Sequence, residues 1–334
     1  MFVNLKETAE KLKSAENILV TSHINPDGDA IGSTLALMQI LRSMKKNVQV
    51  YIDDNVPKSF LNLPCVDEIK RPAENEKFSA DLFVVLDTSA DRIGKVSEMT
   101  DAPILNIDHH VTNKGVDCDL HLEVEAAATC EIIFNIAHEL GAEITENAAI
   151  CLYTGMATDT GFFNYSNTKP STFRAAAELV ERGVQPNLII EQIDKRTFQE
   201  VKVMSAALRT TKLYFGGKAA GMFVDEELYK KTNTTEGFID LIRVIDTVDV
   251  AFLLTSHEKN ICRVSMRSKN ANVAEIAKRL GGGGHIRAAG CTLQKTLEEA
   301  KQILIQAIGE YLVETNNISR EEFENCEEIS ISNF

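Results

Sequence analysis

The chain has 334 residues, which is enough for about two domains that each bury their own core. Hydrophobic residues make up 44% and charged residues 25%, and both values are ordinary for a soluble globular protein. The formal net charge of −14 argues against a long nucleic-acid duplex as partner, because proteins that bind duplexes usually present a basic face. A small anionic ligand is compatible with this charge, since it needs only a local basic pocket.

The charge is unevenly distributed along the chain. Residues 1–185 hold 16 basic and 28 acidic side chains, whereas residues 212–315 are nearly neutral with 14 basic and 13 acidic side chains. The last stretch, 316–334, holds 1 basic and 5 acidic side chains. The acid excess therefore lies in the N-terminal half and in the C-terminal segment, an asymmetry that the function should explain.

The cysteines and the start of the chain predict a cellular location. The seven cysteines form no C-x-x-C pair, which argues against both a zinc ribbon and a disulfide framework. No apolar leader follows Met1, and the longest early apolar run, Leu82–Leu86, is far too short to span a membrane. We therefore expect a reduced, cytoplasmic protein without a membrane partner.

The first half of the chain alternates helices with apolar strands. The predicted helices cover 4–14, 30–44, 126–140, 145–157 and 171–182. The predicted strands cover 17–22, 48–52, 81–86 and 103–107. This alternation predicts an α/β fold with a parallel sheet, in which ligands bind beyond the carboxyl ends of the strands.

The second half follows a different pattern. A charged helical stretch over 186–211 is typical of a connector, and it divides a domain over 1–185 from a smaller α+β domain over 212–315. Within the smaller domain, the predicted strands cover 212–215, 219–224, 250–256 and 261–266. The predicted helices cover about 272–280 and 296–314. The acidic segment 316–334 is predicted to be either a loose tail or a docking segment.

Four clusters of acidic or histidine side chains carry the chemistry. Three follow predicted strands and one lies in a later helix: 23–29, 87–89, 108–110 and 155–161. Each cluster alone is compatible with a turn, a helix cap or a structural histidine. Four of them at one edge of one sheet instead indicate a site.

The carboxylates of these clusters predict metal binding. Five aspartates that converge on one sheet edge would repel one another and raise one another's pKa. Divalent metal is the usual remedy, and carboxylates with imidazoles suit Mn²⁺, Mg²⁺ or Zn²⁺ better than a soft thiolate site does. The number of side chains fits two ions that share one aspartate.

Five motifs occur in order along the chain. They are His-x-x-x-Asp-x-Asp from His23, the strand-end Asp87, Asp-His-His, Gly-x-x-Thr-Asp-Thr-Gly, and Ser-Met-Arg-Ser at 265–268 followed by a four-glycine run and His285. The first four resemble the DHH phosphoesterase superfamily, and the last resembles the DHHA1 substrate domain. The resemblance covers about residues 15–313, and the most similar type is the stand-alone nanoRNase/pAp phosphatase.

This resemblance implies a metal-binding catalytic DHH domain over 1–185, with six metal ligands: His23, Asp27, Asp29, Asp87, His109 and Asp159. The first two would bind one ion, and Asp29 with His109 would bind the other. Asp87 would bridge the two ions, and Asp159 would complete the cluster. The implied cofactor is two divalent ions, Mn²⁺ first, with Mg²⁺ or Co²⁺ as alternatives.

The resemblance also assigns catalytic and substrate-binding roles. Asp108 would orient a histidine, while His110 would contact the scissile phosphate or protonate the leaving group. Consecutive glycines allow a close backbone approach to an anion, although the same run is compatible with a flexible linker. The implied substrate-binding residues are Arg174 and, in the DHHA1 domain, Arg267, Ser268, Gly283, Gly284 and His285.

The resemblance implies two-metal hydrolysis of short RNA to mononucleotides and of pAp to AMP. A homodimer is compatible with it, but the oligomeric state stays open. An alternative within the same enzyme class is a phosphodiesterase for c-di-AMP or pApA. A nucleotide-binding regulator without turnover is a third hypothesis, but the intact ligand set argues against it. Inorganic pyrophosphatase and long-chain DNA exonuclease fit the second domain and the chain length less well.

Overall fold

The computed structural model describes residues 1–326 and 328–330, and it divides the chain into two units, Met1–Lys195 and Arg196–Phe334. The predicted connector over 186–211 contributes one helix to each unit. Glu327 and residues 331–334 of the predicted C-terminal segment lie outside the described residues. Within the described part of the chain, no helix has the length and apolar character needed to cross a membrane.

The first unit contains six strands and six α-helices. The strands are β1 (Asn17–Thr21), β2 (Asn47–Tyr51), β3 (Ile69–Lys70), β4 (Leu82–Leu86), β5 (Ile104–Asp108) and β6 (Asp119–Leu122). The helices are α1 (Leu5–Ser14), α2 (Gly28–Ser43), α3 (Thr129–Leu140), α4 (Glu146–Asp159), α5 (Pro170–Glu181) and α6 (Pro186–Ile193).

The six strands form one parallel sheet in the order β3-β2-β1-β4-β5-β6, which confirms the predicted fold class. From β1, the chain first builds outward through β2 and β3 and then returns to the other side of β1 as β4. The neighbours β1 and β4 therefore form a topological switch point, where open parallel sheets bind ligands at the carboxyl ends of the strands.

Both faces of this sheet are buried. Successive side chains of a strand point to opposite sides, so each strand contributes to two cores. Ile18 and Val20 of β1 join the large core that includes α2, α3 and α4. Leu19, between them, joins a second core with Phe83 and the short helical turns that follow β4. Burial on both faces explains why these strands are continuous apolar runs in the sequence.

In its described residues, the second unit contains seven strands and six α-helices. The strands are β7 (Lys212–Tyr214), β8 (Ala219–Val224), β9 (Val250–Glu258), β10 (Ile261–Ser268), β11 (Gly283–His285), β12 (Ala288–Leu293) and β13 (Ile329–Ser330). The helices are α7 (Phe198–Leu208), α8 (Glu226–Tyr229), α9 (Asp240–Arg243), α10 (Val273–Arg279), α11 (Leu297–Glu314) and α12 (Arg320–Glu324).

These strands form a mixed sheet in the order β11-β12-β10-β9-β8-β7-β13, in which only β8 and β9 are paired in parallel among the described strands. In β9, Phe252 and Leu254 pack with residues of α10 and α11. Leu253, which points to the other face, packs with residues of α7 and α9. The sheet is therefore sandwiched between two apolar cores.

The C-terminal segment, for which the sequence left two alternatives open, is folded onto the second unit in its described part. The ring of Phe323 lies 6.1 Å from that of Phe215, and Ile318 is buried. Strand β13 extends the sheet by pairing with β7. The carboxylate of Glu328 bonds Lys212 of β7 and lies 2.7 Å from Nζ of Lys301 in α11, so one acidic residue of the segment links it to both elements.

Candidate active site

The predicted metal ligands of the first unit gather at the carboxyl edge of its sheet. His23 follows β1 closely, Asp87 directly follows β4, and His109 directly follows β5. Because β1, β4 and β5 are parallel neighbours, residues that follow them emerge at the same edge. Asp27 caps the N-terminus of α2, and Asp159 is the last residue of α4.

Asp87 lies at the centre of the cluster. Its Oδ2 is 3.6 Å from Nε2 of His23, and its Oδ1 is 3.5 Å from Nε2 of His109. The same Oδ1 is 3.7 Å from Nδ1 of His110. One carboxylate thus faces imidazoles from both of its oxygens, a geometry in which it can contact two ions at once.

The other three carboxylates complete the group around the two histidines. Nε2 of His23 is 3.9 Å from Oδ1 of Asp27. Nε2 of His109 is 4.0 Å from Oδ2 of Asp29 and 3.6 Å from Oδ2 of Asp159. The structure therefore brings all six predicted ligands together. Asp27 also accepts hydrogen bonds from the first turn of α2, so the cap interpretation of this residue holds as well.

Electrostatics make this cluster costly without a cation. Burial raises the pKa of Asp87 well above its usual range, and the negative charges of Asp29, Asp27, Asp108 and Asp159 raise it further. Carboxylate oxygens and imidazole nitrogens are the donors that divalent Mn²⁺ and Mg²⁺ accept, and a bound cation would relieve the repulsion. The donor set therefore fits the metal site that the sequence predicts.

Asp108 is an exception to the predicted mutual rise in pKa. Its burial raises the pKa, but hydrogen bonds from the His110 side chain, from Asn113 and from the His110 backbone together hold it below the usual value. The prediction that all five carboxylates raise one another's pKa is therefore wrong for Asp108. The hydrogen-bond donors of His110 and Asn113 therefore stabilise the negative charge of Asp108 without a metal ion.

Asp108 also fixes the orientation of His110. Its Oδ1 lies 2.7 Å from Nδ1 of His110, so this nitrogen carries the hydrogen and Nε2 points away from the carboxylate. His110 keeps 28% of its side chain exposed, whereas Asp108 is fully buried. The buried carboxylate thus presents a partly exposed imidazole beside Asp87.

The site contains three further polar residues that the sequence analysis does not name: Asn106, Asn113 and Thr129. Nδ2 of Asn113 donates to Oδ2 of Asp108 at 2.6 Å and to Oδ1 of Asn106 at 2.7 Å. Oγ1 of Thr129 donates to Oδ1 of Asp87 at 3.0 Å. The detectable signal was Asn106, a fully polar side chain in the middle of an apolar strand. Asn113 and Thr129 gave no signal, because their partners lie elsewhere in the sequence.

The backbone at Asp87 is strained. Its φ is +61°, in the left-handed region that aspartate tolerates better than branched residues do. The residue is held there because its N–H donates to the carbonyl of Ile107 at 3.0 Å. Strain of this kind concentrates at functional sites, and here it belongs to the central carboxylate of the cluster.

Gly155, the first residue of the fourth motif, permits the close approach of α4 to the cluster. A Cβ at this position would lie 2.2 Å from Sγ of Cys130 and 2.9 Å from Oδ1 of Asp29. Real Cβ atoms do not make such contacts. The glycine therefore lets α4 pack against α2 and α3, and this packing carries Asp159 to the site.

The predicted substrate-binding residues of the second unit lie on adjacent strands. Arg267 pairs with Ala288, and Ala288 pairs with His285, so these residues form one row across β10, β12 and β11. Residues paired directly across strands project to the same face. The Oγ of Ser268 donates to the carbonyl of Ala271 at 2.5 Å, which gives this hydroxyl a structural partner.

The glycine run ends in the edge strand β11, so its last two glycines are not part of a flexible linker, the alternative that the sequence leaves open. Gly284 has φ +137°, and a Cβ there would lie 2.6 Å from the carbonyl oxygen of Ala288. Close pairing of β11 with β12 therefore requires this glycine. Gly283 differs, because a Cβ there would have nothing within 4 Å, so its backbone has open space beside it.

Several of the basic side chains over 262–290 have structural partners. Arg279 bonds the carboxylate of Glu314 with both guanidinium arms, at 3.0 and 2.5 Å. Arg287 donates to the carbonyl of Ala271 at 3.0 Å. Arg174 is exposed in the first turn of α5 in the first unit, and its role stays a prediction.

Comparison with known proteins places the chain in a family. The model of the DHH family, N-terminal domain, matches residues 17–156, and the DHHA1 domain model matches residues 203–314. The bifunctional oligoribonuclease and PAP phosphatase NrnA of Thermus thermophilus is 35% identical over 315 residues, covering 92% of this chain and 94% of that protein. This chain belongs to the DHH family. The resemblance inferred from the five motifs is thereby confirmed.

A solved structure shares the fold of this DHH protein. An exopolyphosphatase-related protein from Bacteroides fragilis superimposes with a TM-score of 0.84 at 27% identity, covering 92% of this chain and 96% of that one. The cyclic-di-AMP phosphodiesterase PdeA of Listeria monocytogenes is 26% identical over 90% of this chain but only 49% of its own length. The match therefore spans about half the length of that relative.

The two domain matches include most of the predicted site. The DHH match extends from before His23 to beyond His110, and Asp159 follows its end by three residues. The DHHA1 match includes both Arg267 and His285. Asp159 and the predicted substrate contact Arg174 lie between the two matched ranges, and the roles of all these residues stay predictions.

Proposed function

We propose that this DHH protein is a metal-dependent phosphoesterase that hydrolyses short oligoribonucleotides to mononucleotides and pAp to AMP. The observation that carries the proposal is the placement of Asp87, which faces His23 from one carboxylate oxygen and His109 from the other. The NrnA of Thermus thermophilus, which is similar over nearly the whole chain, has a name that states both activities.

The cofactor of the proposed reaction is a pair of divalent ions, with Mn²⁺ preferred and Mg²⁺ or Co²⁺ as alternatives. His23 and Asp27 would hold one ion, and Asp29 with His109 would hold the other. Asp87 would be shared between the ions, and Asp159 would complete the set beside His109. When bound, such ions stabilise charge on phosphate oxygens and lower the pKa of a water ligand.

His110 is the residue that we assign to the scissile phosphate or to proton transfer to the leaving group. Asp108 holds the hydrogen on Nδ1 at 2.7 Å, which directs Nε2 away from the buried carboxylate. When His110 is protonated, Nε2–H can donate to the leaving nucleoside oxygen, and the charge of Asp108 stabilises the imidazolium. Asp108 would therefore act through His110.

The rest of the substrate would be bound by residues of the DHHA1 domain. Nε of Arg267 is buried and makes no hydrogen bond to any part of the chain that the structure describes, so it has a donor available for phosphate. His285 lies in the same row of the sheet, and the backbone N–H groups of Gly283 and Gly284 are the further donors that we propose. Ser268 of the same domain and Arg174 of the first unit complete the proposed set.

A substrate panel tests this function. Purified protein is incubated with Mn²⁺, Mg²⁺ or Co²⁺ and with pAp, RNA of two to five nucleotides, c-di-AMP or pApA, and the products are separated by chromatography. We expect mononucleotides from short RNA and AMP from pAp. The Asp87→Asn variant should lose both activities, whereas the exposed Asp91→Asn serves as the matched control. Wild-type protein inactive on every substrate with every metal would refute the proposal.

The same panel examines the alternative, a phosphodiesterase for c-di-AMP or pApA. The similarity to PdeA of Listeria monocytogenes favours this alternative, although the match covers only 49% of that protein. Faster turnover of c-di-AMP than of short RNA or pAp would select it. A regulator without turnover would instead bind nucleotide and form no product with any of the three metals.

We also propose a cytoplasmic location. All seven cysteines lie among the described residues, and each is a free thiol. Free thiols persist in the reducing cytoplasm, whereas oxidising compartments favour disulfides.

A further inference from the structure

The N-terminus of α3 is capped from another helix. Its N-cap residue, Ala128, has no side chain that accepts a hydrogen bond. Instead, the backbone N–H of Thr129 donates to Oδ2 of Asp29 at 2.6 Å, and that of Cys130 donates to Oδ1 at 2.9 Å. Both oxygens of Asp29, a residue of α2, are thereby held in place by the first turn of α3, where negative charge is stabilised.

The side chain of Thr129 reaches a second carboxylate of the cluster. Its Oγ1 donates to Oδ1 of Asp87 at 3.0 Å, and both residues are almost completely buried. This hydrogen bond restricts rotation of the Asp87 carboxylate about χ2. With Oδ1 held toward His109, Oδ2 stays directed at His23, as the measured distances show.

The loop before α3 contacts one more predicted ligand directly and is linked to another through Asn167. The carbonyl of Ala126 accepts a hydrogen bond from Nδ1 of His109 at 3.3 Å, which fixes the tautomer with its hydrogen on Nδ1 and turns Nε2 toward the carboxylates. The amide of Asn167 donates to the carbonyls of Ala127, at 3.0 Å, and of Asp159, at 3.1 Å. Through Asn167, the same loop is connected to the end of α4.

We propose that Thr129 is the principal positioning residue of the metal cluster, and that Asn167 supports the end of α4 through the backbone carbonyl of Asp159. Residues 126–130 form one short segment that contacts Asp29, Asp87 and His109 directly. Partners of this kind orient metal ligands, and their loss commonly weakens metal binding by about 10–100-fold. The inference rests on the metal site of the proposed function, and it adds residues that no motif of the sequence includes.

The test compares Thr129→Val, which keeps the shape and removes the hydroxyl, with Thr129→Ser, which keeps the hydroxyl. Thr154→Val is the matched control, because Thr154 is nearly as buried as Thr129 and its hydroxyl donates to the Ile150 carbonyl of its own helix, at 2.8 Å. Affinity for Mn²⁺ is measured by competition with a chelator, and the ligand geometry by the visible absorption of the Co²⁺ form. Urea unfolding of the metal-free proteins reports the fold.

We expect Thr129→Val to bind Mn²⁺ about 10–100-fold more weakly and to shift the Co²⁺ spectrum, while Thr129→Ser and Thr154→Val stay close to wild type. Wild-type affinity and spectrum in Thr129→Val would overturn the inference, as would an equal loss in Thr154→Val. If Thr129→Val does not fold, Asn167→Ser provides the second test, and unchanged metal affinity there overturns the inference. Wild-type protein that binds neither ion would refute the proposed function itself.

Discussion

Asn113 donates a 2.6 Å hydrogen bond to Oδ2 of Asp108, on the carboxylate oxygen that His110 does not use. Asp108 is fully buried, so both of its oxygens depend on protein donors. Asn113 also bonds Asn106, whose amide donates to the carbonyl of Thr88 at 2.7 Å, immediately after Asp87. A buried amide network thus connects the imidazole of His110 to the strand end that carries the central carboxylate.

Replacing Asn113 with alanine should impair both stability and turnover. The substitution leaves a buried ionised oxygen of Asp108 without its donor, which costs about 1–3 kcal/mol or more. It also loosens His110, so kcat should fall by up to about 100-fold with less change in KM. Urea unfolding and steady-state kinetics on pAp measure the two effects. The exposed Asn47→Ala is the control, and equal kcat in both variants would contradict this role.

Gly155→Ala should disturb the cluster by overpacking. The new methyl group would lie 2.2 Å from Sγ of Cys130 and 2.9 Å from Oδ1 of Asp29, so α4 must move or the two side chains must shift. Overpacking of this kind costs about 1–3 kcal/mol. We expect reduced stability in urea and weaker Mn²⁺ binding.

A second substitution separates the steric cause from other effects of Gly155→Ala. Cys130→Ala removes the nearer atom, so the Gly155→Ala/Cys130→Ala double variant should regain part of the lost stability. The coupling is read from a double-mutant cycle of urea unfolding. Strictly additive losses would show that the Sγ contact is not the source of the destabilisation.

The strands that carry the site could be predicted because each one is an apolar run between polar segments. Both faces of β1 and β4 are buried, and this constraint is visible in the sequence itself. The positions of His23 and Asp87 follow, since parallel strands end at one edge. The two-residue strand β3 and the four-residue strand β6 were missed, because they are too short for a periodic signal.

The contacts that orient the ligands could not be predicted, because they join distant parts of the chain. Thr129 and Asp29 are 100 residues apart, and nothing in the local sequence of either specifies the other. The structure of the glycine run could be predicted only in part, for a different reason. Its composition indicates backbone freedom, but the pairing of β11 with β12, which decides how Gly284 is used, is a tertiary contact.

Removing metal should lower the stability of the wild-type protein and leave Asp87→Asn unaffected. A free ion concentration of about 100 times the Kd stabilises the folded state enough to raise Tm by about 5–10 °C. Metal-free Asp87→Asn should melt at a higher temperature than metal-free wild type, because one of the mutually repelling charges is gone. Thermal unfolding with and without Mn²⁺ measures both differences. An undiminished Mn²⁺ effect in the variant would argue against Asp87 as a ligand.

Acid should release the C-terminal segment. Burial raises the pKa of Glu328, but hydrogen bonds from Lys212 and Lys301 outweigh it and hold the pKa below the usual 4.5. The folded state therefore binds fewer protons at this group than the unfolded state. The stabilisation is present above pH 4.5 and is lost as the pH falls through the lower folded-state value.

The comparison of wild type with Glu328→Gln tests this pH dependence. At pH 7 the variant should be less stable in urea, because it lacks the charge that both lysines contact. The two proteins should converge as the pH falls below 4.5, since the wild-type side chain becomes neutral as well. A stability difference that is the same at pH 7 and pH 3.5 would show that the ion pairs do not hold the segment.

Arg267→Lys should separate substrate binding from catalysis. Nη1 of Arg267 donates to the Met266 carbonyl at 3.0 Å, which fixes the guanidinium while Nε stays available within the described structure. Lysine keeps the charge but cannot reproduce the planar fork, so KM for pAp should rise by about tenfold, the loss of roughly one charge-assisted hydrogen bond. Mn²⁺ affinity should stay unchanged, because the predicted ligands all belong to the DHH domain. Arg263→Lys, on an exposed position of the same strand, is the control, and an equal KM for the two variants would remove Arg267 from the proposed phosphate contacts.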